Sequence, residues 1–452
     1  MSPIDGVLLA GLIGAGVWRL GWPGRWRPAG PWACLALGAL AAVQVVVAGF
    51  TWQFVGGYAL LAALAFPWRR AGLWSRLAAG GGLAALMLVA LAPWAVLPAP
   101  ELPKPRGPYA VASAVYRWTD AGRAEPATPD AADRRNVIVQ AWYPAATSNG
   151  RQVAYIDGLG RLPPTVYGLP RLLFARFGQT RTHAVDGAPV STAHPRWPVV
   201  IFSPGYGAPR AVYAGLLTDL ASRGYVVIAL DHPYESAVVQ LADGKVVGPA
   251  PRADGGGVRH MERQVVVRAA DVAFVLDRLE RGDGLGPLSG RLDLSRIAAI
   301  GHSFGGATAV LAASHDARIL AAADIDGMLY GDVRARNLRG PLLLLESEGT
   351  QAMTPYVRVT RGVMAEAPAG GWRYAIAGSN HLSFTDAERF LSAPARWVAA
   401  RVLRGERGAA GTQAVAVDIL DAFLRGPLKG EPGDVAAAAA RGGGVRGGLG
   451  RP

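Results

Sequence analysis

Gly301-His302-Ser303-Phe304-Gly305-Gly306 is the stretch that decides the fold. It follows a strand-like apolar run over residues 296–300 and precedes a helix-like run over residues 307–314. A serine between a strand and a helix, with glycines two residues before and after it, is typical of a nucleophile elbow, in which the hydroxyl projects from the edge of a sheet. We therefore predict that Ser303 is a nucleophile.

Glycine abundance offers a competing explanation, because a G-x-S-x-G pattern can arise by chance among 59 glycines in 452 residues. The context of the pattern decides between the two explanations. The flanking strand and helix, the second glycine at Gly306 and a histidine far downstream favour a serine hydrolase.

Charge and cysteine content exclude several classes of protein. The formal net charge is +13, but 43 of the 46 basic residues are arginines scattered along the chain, without the aromatic-interleaved basic stripe of a nucleic-acid-binding protein. We therefore predict no nucleic-acid partner. Cys34 is the only cysteine, which excludes an intramolecular disulfide and a zinc–cysteine cluster.

Residues 1–98 differ from the rest of the chain, because they contain six arginines and a single acid, Asp5. Four apolar stretches fill this region, at residues 7–17, 31–50, 54–68 and 77–97. The second and fourth have the roughly 20 residues that a transmembrane helix needs, whereas the first and third are shorter. We predict a transmembrane region of about four helices; the alternative is that some are buried helices of a soluble domain.

The arginines of this region predict its orientation. They form two groups of three: Arg19, Arg25 and Arg27 between the first two stretches, and Arg69, Arg70 and Arg76 between the last two. By the positive-inside tendency both groups face the cytoplasm. Four crossings then place the rest of the chain outside the cytoplasm, in an integral protein of a bacterial-type inner or plasma membrane. An odd number of crossings would place it inside.

Three further regions follow the membrane segments. Residues 99–108 are proline-rich and predict a stiff linker. Residues 109–428 predict the catalytic domain. Residues 429–452 are mostly Ala, Gly and Arg and predict a disordered tail.

From residue 109 on, apolar strand-like runs alternate with amphipathic helices, which is typical of a mostly parallel sheet covered on both faces. The predicted strands are 136–143, 197–203, 225–231, 296–300, 320–325, 341–345 and 372–376; the predicted helices are 211–223, 259–281, 307–314 and 413–424. This order is that of the α/β-hydrolase fold, in which nucleophile, acid and histidine follow one another along the chain.

That chain order selects the general base. Among seven histidines, His381 alone follows the last predicted strand, in the loop Gly378-Ser379-Asn380-His381. We predict His381 as the base. Position leaves the acid open, because Asp326 ends the strand after the elbow helix while Glu346 and Glu348 end the next strand.

The oxyanion hole of such a site needs two backbone N–H groups. One is predicted at Phe304, the residue after the nucleophile. The other is predicted in the loop Ser203-Pro204-Gly205-Tyr206-Gly207, at Tyr206 or alternatively at Gly205. No metal or organic cofactor is needed for this chemistry.

Residues 109–424 resemble a known family, the secreted calcium-independent platelet-activating factor acetylhydrolases of the plasma or isoform II type, also called lipoprotein-associated phospholipase A2. The similarity lies in six segments: residues 201–207, 219–225, 301–307, 325–328, 346–348 and His381 with Phe384 and Asp386. The resemblance implies that Asp326 is the acid and that Tyr206 supplies the second oxyanion N–H. It also implies 1-alkyl-2-acetylglycerophosphocholine esterase activity.

The chain departs from that family in two places. It has Pro204-Gly205 where plasma members usually show His-Gly, and it carries the apolar region before residue 98. The apolar stretch 158–178 is either a lid dipping toward lipid or an ordinary packed insertion.

We expect a membrane-anchored hydrolase of short-acyl or lipid esters. The alternatives are a general carboxylesterase or polyester hydrolase with the same triad, and a non-catalytic membrane sensor or binding protein with a hydrolase-like domain.

Overall fold

The computed structural model describes residues 3–50, 52–66, 73–96, 101–158, 162–166, 169–171, 174, 177–178, 180–251, 257–350, 353–391, 393–403 and 405–450. The chain forms two compact units. The first contains residues 1–100 with 170–177 and 390–396, and the second contains the remainder.

The first unit is built from four apolar helices: α1 Pro3–Gly21, α2 Pro23–Ala48, α3 Val55–Ala65 and α4 Leu73–Val96. Within the described residues, α1, α2 and α4 are long and apolar enough to cross a membrane. Helix α3 has 11 residues and rises about 16 Å, which is less than the roughly 30 Å of a hydrocarbon core. The four predicted helices are therefore present, but one is shorter than a full crossing.

Polar contacts between these helices fix their relative directions. Arg19, near the end of α1, donates to the carbonyl oxygens of Ala63 and Leu64 at the end of α3, at 2.9 and 2.5 Å. Gln44, near the end of α2, bonds to Asp5 at the start of α1 and to Tyr58 near the start of α3. Helices α1 and α3 thus run in one direction and α2 in the other.

The second unit contains a ten-stranded sheet with the order β14-β13-β12-β11-β10-β6-β7-β2-β1-β5. Its strands are β1 Ala110–Ala124, β2 Arg134–Ala145, β5 Ala184–Asp186, β6 Trp197–Ser203, β7 Val226–Asp231, β10 Leu292–His302, β11 Ile319–Ile325, β12 Leu342–Ser347, β13 Gly371–Ile376 and β14 Val445–Gly450. The six strands from β13 to β7 in that order are mutually parallel. Four two-residue strands, β3 Thr165–Val166, β4 Leu169–Pro170, β8 Val239–Gln240 and β9 Val246–Val247, form two small separate sheets.

Helices cover both faces of the large sheet. They are α5 Ala214–Ser222, α6 Val258–Arg281, α7 Phe304–His315, α8 Thr354–Glu366, α10 Gly408–Leu424 and α11 Val435–Arg441. A further helix, α9, spans Ala393–Val402. The parallel strands have apolar, buried central residues, as in β12, where Leu342 to Leu345 are all buried, because each face packs against a helical layer. The predicted α/β-hydrolase fold is confirmed.

The linker prediction is wrong for its described part, residues 101–108, which packs on the second unit. Leu102 is buried, and the backbone N–H and Nε of Arg106 donate to the two carboxylate oxygens of Asp219 at 2.7 and 2.8 Å. Prolines here fit a packed extended segment because such a segment needs few backbone donors. Residues 99 and 100 lie outside the described residues.

The predicted disordered tail is also wrong for residues 435–450. Asp434 caps α11 by accepting from the N–H of Ala437 at 2.8 Å, and β14 pairs antiparallel with β13 along six residues. Glycine suits this edge strand, because at Gly447 a side chain would collide with the carbonyl oxygen of Arg373. Long-range pairing therefore orders a segment whose composition predicts disorder.

Candidate active site

The predicted nucleophile lies on a strained turn. Strand β10 ends at His302 and α7 begins at Phe304, so Ser303 alone makes the turn, with φ of +57°. Such a φ is uncommon for a residue other than glycine, and strain of this kind concentrates at functional sites. The turn projects the serine side chain beyond the carboxyl end of the central strand.

The elbow glycines are required because backbone segments meet there without room for a side chain. A methyl group on Gly301 would collide with the carbonyl oxygen of Gly305, and one on Gly305 would collide with the carbonyl oxygen of Ser203. A methyl group on Gly306 would strike the carboxyl of Asp324. Close packing, and not chance composition, therefore explains G-x-S-x-G-G.

The structure brings Ser303, His381 and Asp326 together although 78 residues separate the first two. Ser303 Oγ lies 2.9 Å from His381 Nε2, and His381 Nδ1 lies 2.8 Å from Asp326 Oδ2. A neutral imidazole that donates from Nδ1 to the carboxylate accepts at Nε2 from the serine hydroxyl. This is the tautomer that a general base requires.

Backbone geometry and hydrogen bonds hold Asp326, the predicted acid, in place. Asp326 follows β11 with φ of +58°, a conformation that aspartate tolerates better than most residues. Its Oδ1 accepts from the N–H of Ser347 at 2.6 Å. Burial alone would raise the pKa of the Asp326 carboxyl, but the hydrogen bonds from His381 and Ser347 hold that pKa below its usual value. The carboxyl is therefore ionised at neutral pH.

The two alternative acids bind elsewhere. Glu346 is buried and accepts from Tyr356 Oη at 2.8 Å and Arg373 Nε at 2.7 Å. Glu348 accepts from the N–H of Gly378 at 2.8 Å. Among the three candidates, only Asp326 forms a hydrogen bond to His381 in the described part of the chain.

His381 sits at the start of a short 3₁₀ helix, residues 381–384, that a capping box fixes. Asn380 Oδ1 accepts from the N–H groups of Leu382 and Ser383 at 2.8 and 3.0 Å. The side chain of His381 is 48% exposed. His381, the predicted base, is thus held at its backbone while its side chain is open to solvent.

The loop after β6 lies directly against Ser303. A methyl group on Gly205 would lie 3.4 Å from the Cβ of Ser303. The N–H of Gly205 donates to Tyr213 Oη at 3.0 Å, so that group is already engaged. Tyr206 stays the predicted oxyanion donor of this loop.

A second set of hydrogen-bonded Ser, His and Asp side chains lies inside the same unit, and the sequence did not reveal it. Ser203 Oγ lies 3.0 Å from His232 Nε2, and His232 Nδ1 lies 2.9 Å from Asp271 Oδ2. All three side chains are buried, and burial lowers the pKa of His232 to about 4. No substrate reaches these groups, so we interpret this set as a support for the loop that begins at Ser203.

The apolar stretch 158–178 is only partly described. Leu162 and Val166 are buried, as in a packed insertion. Leu159, Tyr167, Leu172 and Leu173, which belong to the same prediction, lie outside the described residues.

Comparison with known proteins identifies the family of this chain. The model of the family platelet-activating factor acetylhydrolase, isoform II, matches residues 98–247 and 271–430. A platelet-activating factor acetylhydrolase of Cavia porcellus is 27% identical over 51% of this chain and 58% of its own length. A probable 1-alkyl-2-acetylglycerophosphocholine esterase of Arthroderma benhamiae is 32% identical over 32% of this chain and 34% of its own length.

A solved structure is similar over a longer span. The ferulic acid esterase from Streptomyces cinnamoneus superposes with a TM-score of 0.65 and 29% identity, covering 77% of this chain and 99% of its own. The chain spans only about half the length of the curated relatives that it matches. The family model, by contrast, matches well over half of this chain. The chain therefore belongs to the platelet-activating factor acetylhydrolase isoform II family.

Proposed function

We propose that this protein is a serine ester hydrolase that cleaves carboxylic esters through a Ser303-His381-Asp326 triad and an acyl-enzyme. The observation that carries the proposal is the chain of two hydrogen bonds, of 2.9 and 2.8 Å, that starts at a serine on a strained turn. An unstrained core serine would not need that backbone conformation.

In the first step Ser303 Oγ attacks the ester carbonyl carbon while His381 Nε2 takes the hydroxyl proton. Asp326 stabilises the resulting imidazolium and keeps Nδ1 protonated. The imidazolium then gives its proton to the leaving alcohol oxygen as the carbon–oxygen bond breaks. Water cleaves the acyl-enzyme by the same route, with His381 again as the base.

The N–H groups of Phe304 and Tyr206 would bind the oxyanion of both tetrahedral intermediates. Phe304 is the first residue of α7, where backbone N–H groups have no partner within the helix. Loss of one oxyanion donor typically lowers kcat by about 10²- to 10³-fold. Each of these two amides is thus expected to contribute to kcat by a factor of that size.

Short-acyl phospholipid-like esters are the substrates that we propose, since curated relatives carry the names platelet-activating factor acetylhydrolase and 1-alkyl-2-acetylglycerophosphocholine esterase. Leu382, next to His381, is 42% exposed and offers an apolar contact at the mouth of the site. The similarity to a ferulic acid esterase favours a second candidate, a carboxylesterase for aryl esters.

Parallel assays distinguish these candidates. The full chain in detergent would be tested with 1-alkyl-2-acetylglycerophosphocholine, a long-chain diacyl phosphatidylcholine, p-nitrophenyl acetate and methyl ferulate. A kcat/KM at least about tenfold higher for the acetyl phospholipid supports the first proposal. A preference for the aryl esters supports the second, and absence of turnover of all four supports the non-catalytic alternative.

We further propose that the N-terminal helices anchor the protein in a bacterial-type inner membrane, with the catalytic unit outside the cytoplasm. In support, Gly56 near the start of α3 packs against the backbone of Val89 near the end of α4. The end of α4 therefore lies on the side of the bundle where α1 begins. The start of α1 and the end of α4 therefore lie on the same side of the bundle, whether or not α3 crosses the membrane fully.

One of the arginines that predict this orientation has partners inside the helix bundle. Arg19 is buried and bonds to the end of α3, while Arg69 and Arg70 lie outside the described residues. Protease treatment of spheroplasts tests the orientation. Cleavage of the catalytic unit without lysis is expected, and protection until lysis would contradict it.

A further inference from the structure

The peptide bond between Pro204 and Gly205 is held at both ends. Its carbonyl oxygen accepts from Arg268 Nη1 at 2.6 Å, and its N–H donates to Tyr213 Oη at 3.0 Å. In a trans peptide these two groups point in opposite directions, so two partners on opposite sides fix the rotation of the plane. This plane immediately precedes the peptide whose N–H belongs to Tyr206.

Arg268 contacts both segments that would supply the oxyanion donors. Its Nη2 lies 3.4 Å from the carbonyl oxygen of Gly205, and its guanidinium lies 4.8 Å from the ring centroid of Phe304. Because the carbonyl of Gly205 points to the guanidinium, the N–H of Tyr206 in the same peptide points away from it.

The guanidinium of Arg268 is itself rigidly placed. It is fully buried and pairs with Glu235, whose carboxylate accepts from Nε at 3.0 Å and from Nη2. A buried charge of this kind requires a partner and several hydrogen bonds to be tolerated. Its other acceptors are the carbonyl oxygens of residues 204 and 205 and the hydroxyl of Ser203, which lies 3.4 Å from Nη1.

The N–H of Gly205 is connected to the backbone of His381 through Tyr213 and His302. Tyr213 Oη lies 2.9 Å from His302 Nδ1, and His302 Nε2 lies 2.9 Å from the carbonyl oxygen of His381. A carbonyl only accepts, so Nε2 carries the proton and Nδ1 accepts from the tyrosine hydroxyl. Burial lowers the pKa of His302 to about 3, so the ring is uncharged at neutral pH.

We propose that Arg268 and Tyr213 are positioning residues of the oxyanion hole, holding the Pro204–Gly205 plane so that the N–H of Tyr206 faces the ester oxygen. Through His302 the same chain of hydrogen bonds sets the distance between that loop and the backbone of His381. Neither residue touches the reacting atoms. This inference rests on the proposed serine esterase function.

The test is Tyr213→Phe in the full chain, which removes one hydroxyl and leaves the ring. The matched control is Tyr225→Phe, because Tyr225 is equally buried and its hydroxyl bonds at 3.0 Å to Asp421, which is not a member of this chain of hydrogen bonds. We would measure kcat and KM for p-nitrophenyl acetate, Ki for an aryl trifluoromethyl ketone that forms a tetrahedral oxyanion adduct, and the thermal midpoint.

For Tyr213→Phe we expect kcat to fall about 10- to 100-fold with KM changed less than about twofold, since misplacing a reacting group by 1 Å is enough for such a loss. Ki for the ketone should rise by the same factor. Arg268→Lys should reproduce this result, because lysine keeps the positive charge opposite Glu235 but cannot bond to Glu235 and to the carbonyl of Pro204 with separate nitrogens. Tyr225→Phe should lower the thermal midpoint as much as Tyr213→Phe while kcat and Ki stay at wild-type values.

A kcat for Tyr213→Phe within about twofold of wild type would overturn the inference, and so would a lower kcat with an unchanged Ki. An equal loss of kcat in Tyr225→Phe would show that general destabilisation explains the effect. A wild-type chain that turns over no ester would contradict the proposed function itself, and the inference with it.

Discussion

Replacement of Asp326 by asparagine is the sharpest test of how the proposed triad is oriented. The carboxylate accepts at both oxygens, from His381 Nδ1 at 2.8 Å and from the N–H of Ser347 at 2.6 Å. Asparagine has one acceptor oxygen for these two donors. If the oxygen keeps the Ser347 contact, the amide N–H₂ faces Nδ1 and forces the imidazole proton onto Nε2. His381 then cannot accept a proton from Ser303.

The wrong tautomer in a serine triad lowers kcat by about 10⁴-fold, which corresponds to about 5 kcal/mol in the barrier. We therefore expect kcat of Asp326→Asn to fall by about 10³- to 10⁴-fold, with KM nearly unchanged, because the carboxylate does not contact the substrate. Stopped-flow or extended-time hydrolysis of p-nitrophenyl acetate by the full chain in detergent measures this range.

Two controls belong to this experiment. Glu348→Gln, at a side chain that is 48% exposed, should leave kcat within about twofold of wild type. Glu346→Gln weakens the contact with Arg373 and should lower the thermal midpoint more than kcat. The reasoning is refuted if Asp326→Asn keeps more than about a tenth of the wild-type kcat, or if a glutamate variant loses as much as Asp326→Asn.

Two further predictions concern residues behind the nucleophile. Gly305→Ala forces the carbonyl of Ser203 away, so we expect a loss of about 1–3 kcal/mol in the free energy of unfolding together with a lower kcat. The control is Gly349→Ala, whose added methyl group meets no atom within 4 Å and should change neither quantity. Equal thermal midpoints of the two variants would contradict this prediction. Burial, followed by the charge of Asp326, raises the pKa of the Asp324 carboxyl well above its usual range. Residue 324 loses its proton at a lower pH in the unfolded chain than in the folded one, so the free energy of unfolding of the wild type should fall by up to about 1.4 kcal/mol per pH unit above about pH 4. Asp324→Asn lacks this group, so its thermal midpoint should rise relative to that of the wild type between pH 5 and 8. A difference that stays constant with pH would mean that Asp324 is already ionised in the folded protein.

The parallel core and the elbow could be predicted from the sequence because their signals are local. A strand buried on both faces is a nearly continuous apolar run, as Trp197–Ser203 is up to its last residue, and its predicted bounds agree with the structure. The glycines around Ser303 likewise predict a tight turn, at which a side chain in place of a glycine would collide with the backbone. Such features depend on neighbours within a few residues, and the chain order of the fold extends them to His381.

The rest depends on contacts between distant residues. Position along the chain left the acid undecided, and the hydrogen bond from His381 distinguishes Asp326 only in three dimensions. Arg268 reads as one more arginine on an amphipathic helix, although it bonds to a carbonyl 64 residues away. The edge strand β14 is rich in glycine and arginine, and only its pairing with β13 orders it.

Labelling by a fluorophosphonate probe tests the central claim most directly, because such probes react with a serine only when a base and an oxyanion hole activate it. With the full chain in detergent, we predict one labelled residue, Ser303, loss of labelling in Ser303→Ala, and loss of ester hydrolysis in the same variant. Matched Ser314→Ala, at a buried serine in α7 that bonds to Leu311, should keep both activities. Absence of labelling in the wild-type chain, or labelling and hydrolysis that persist undiminished in Ser303→Ala, would contradict the account.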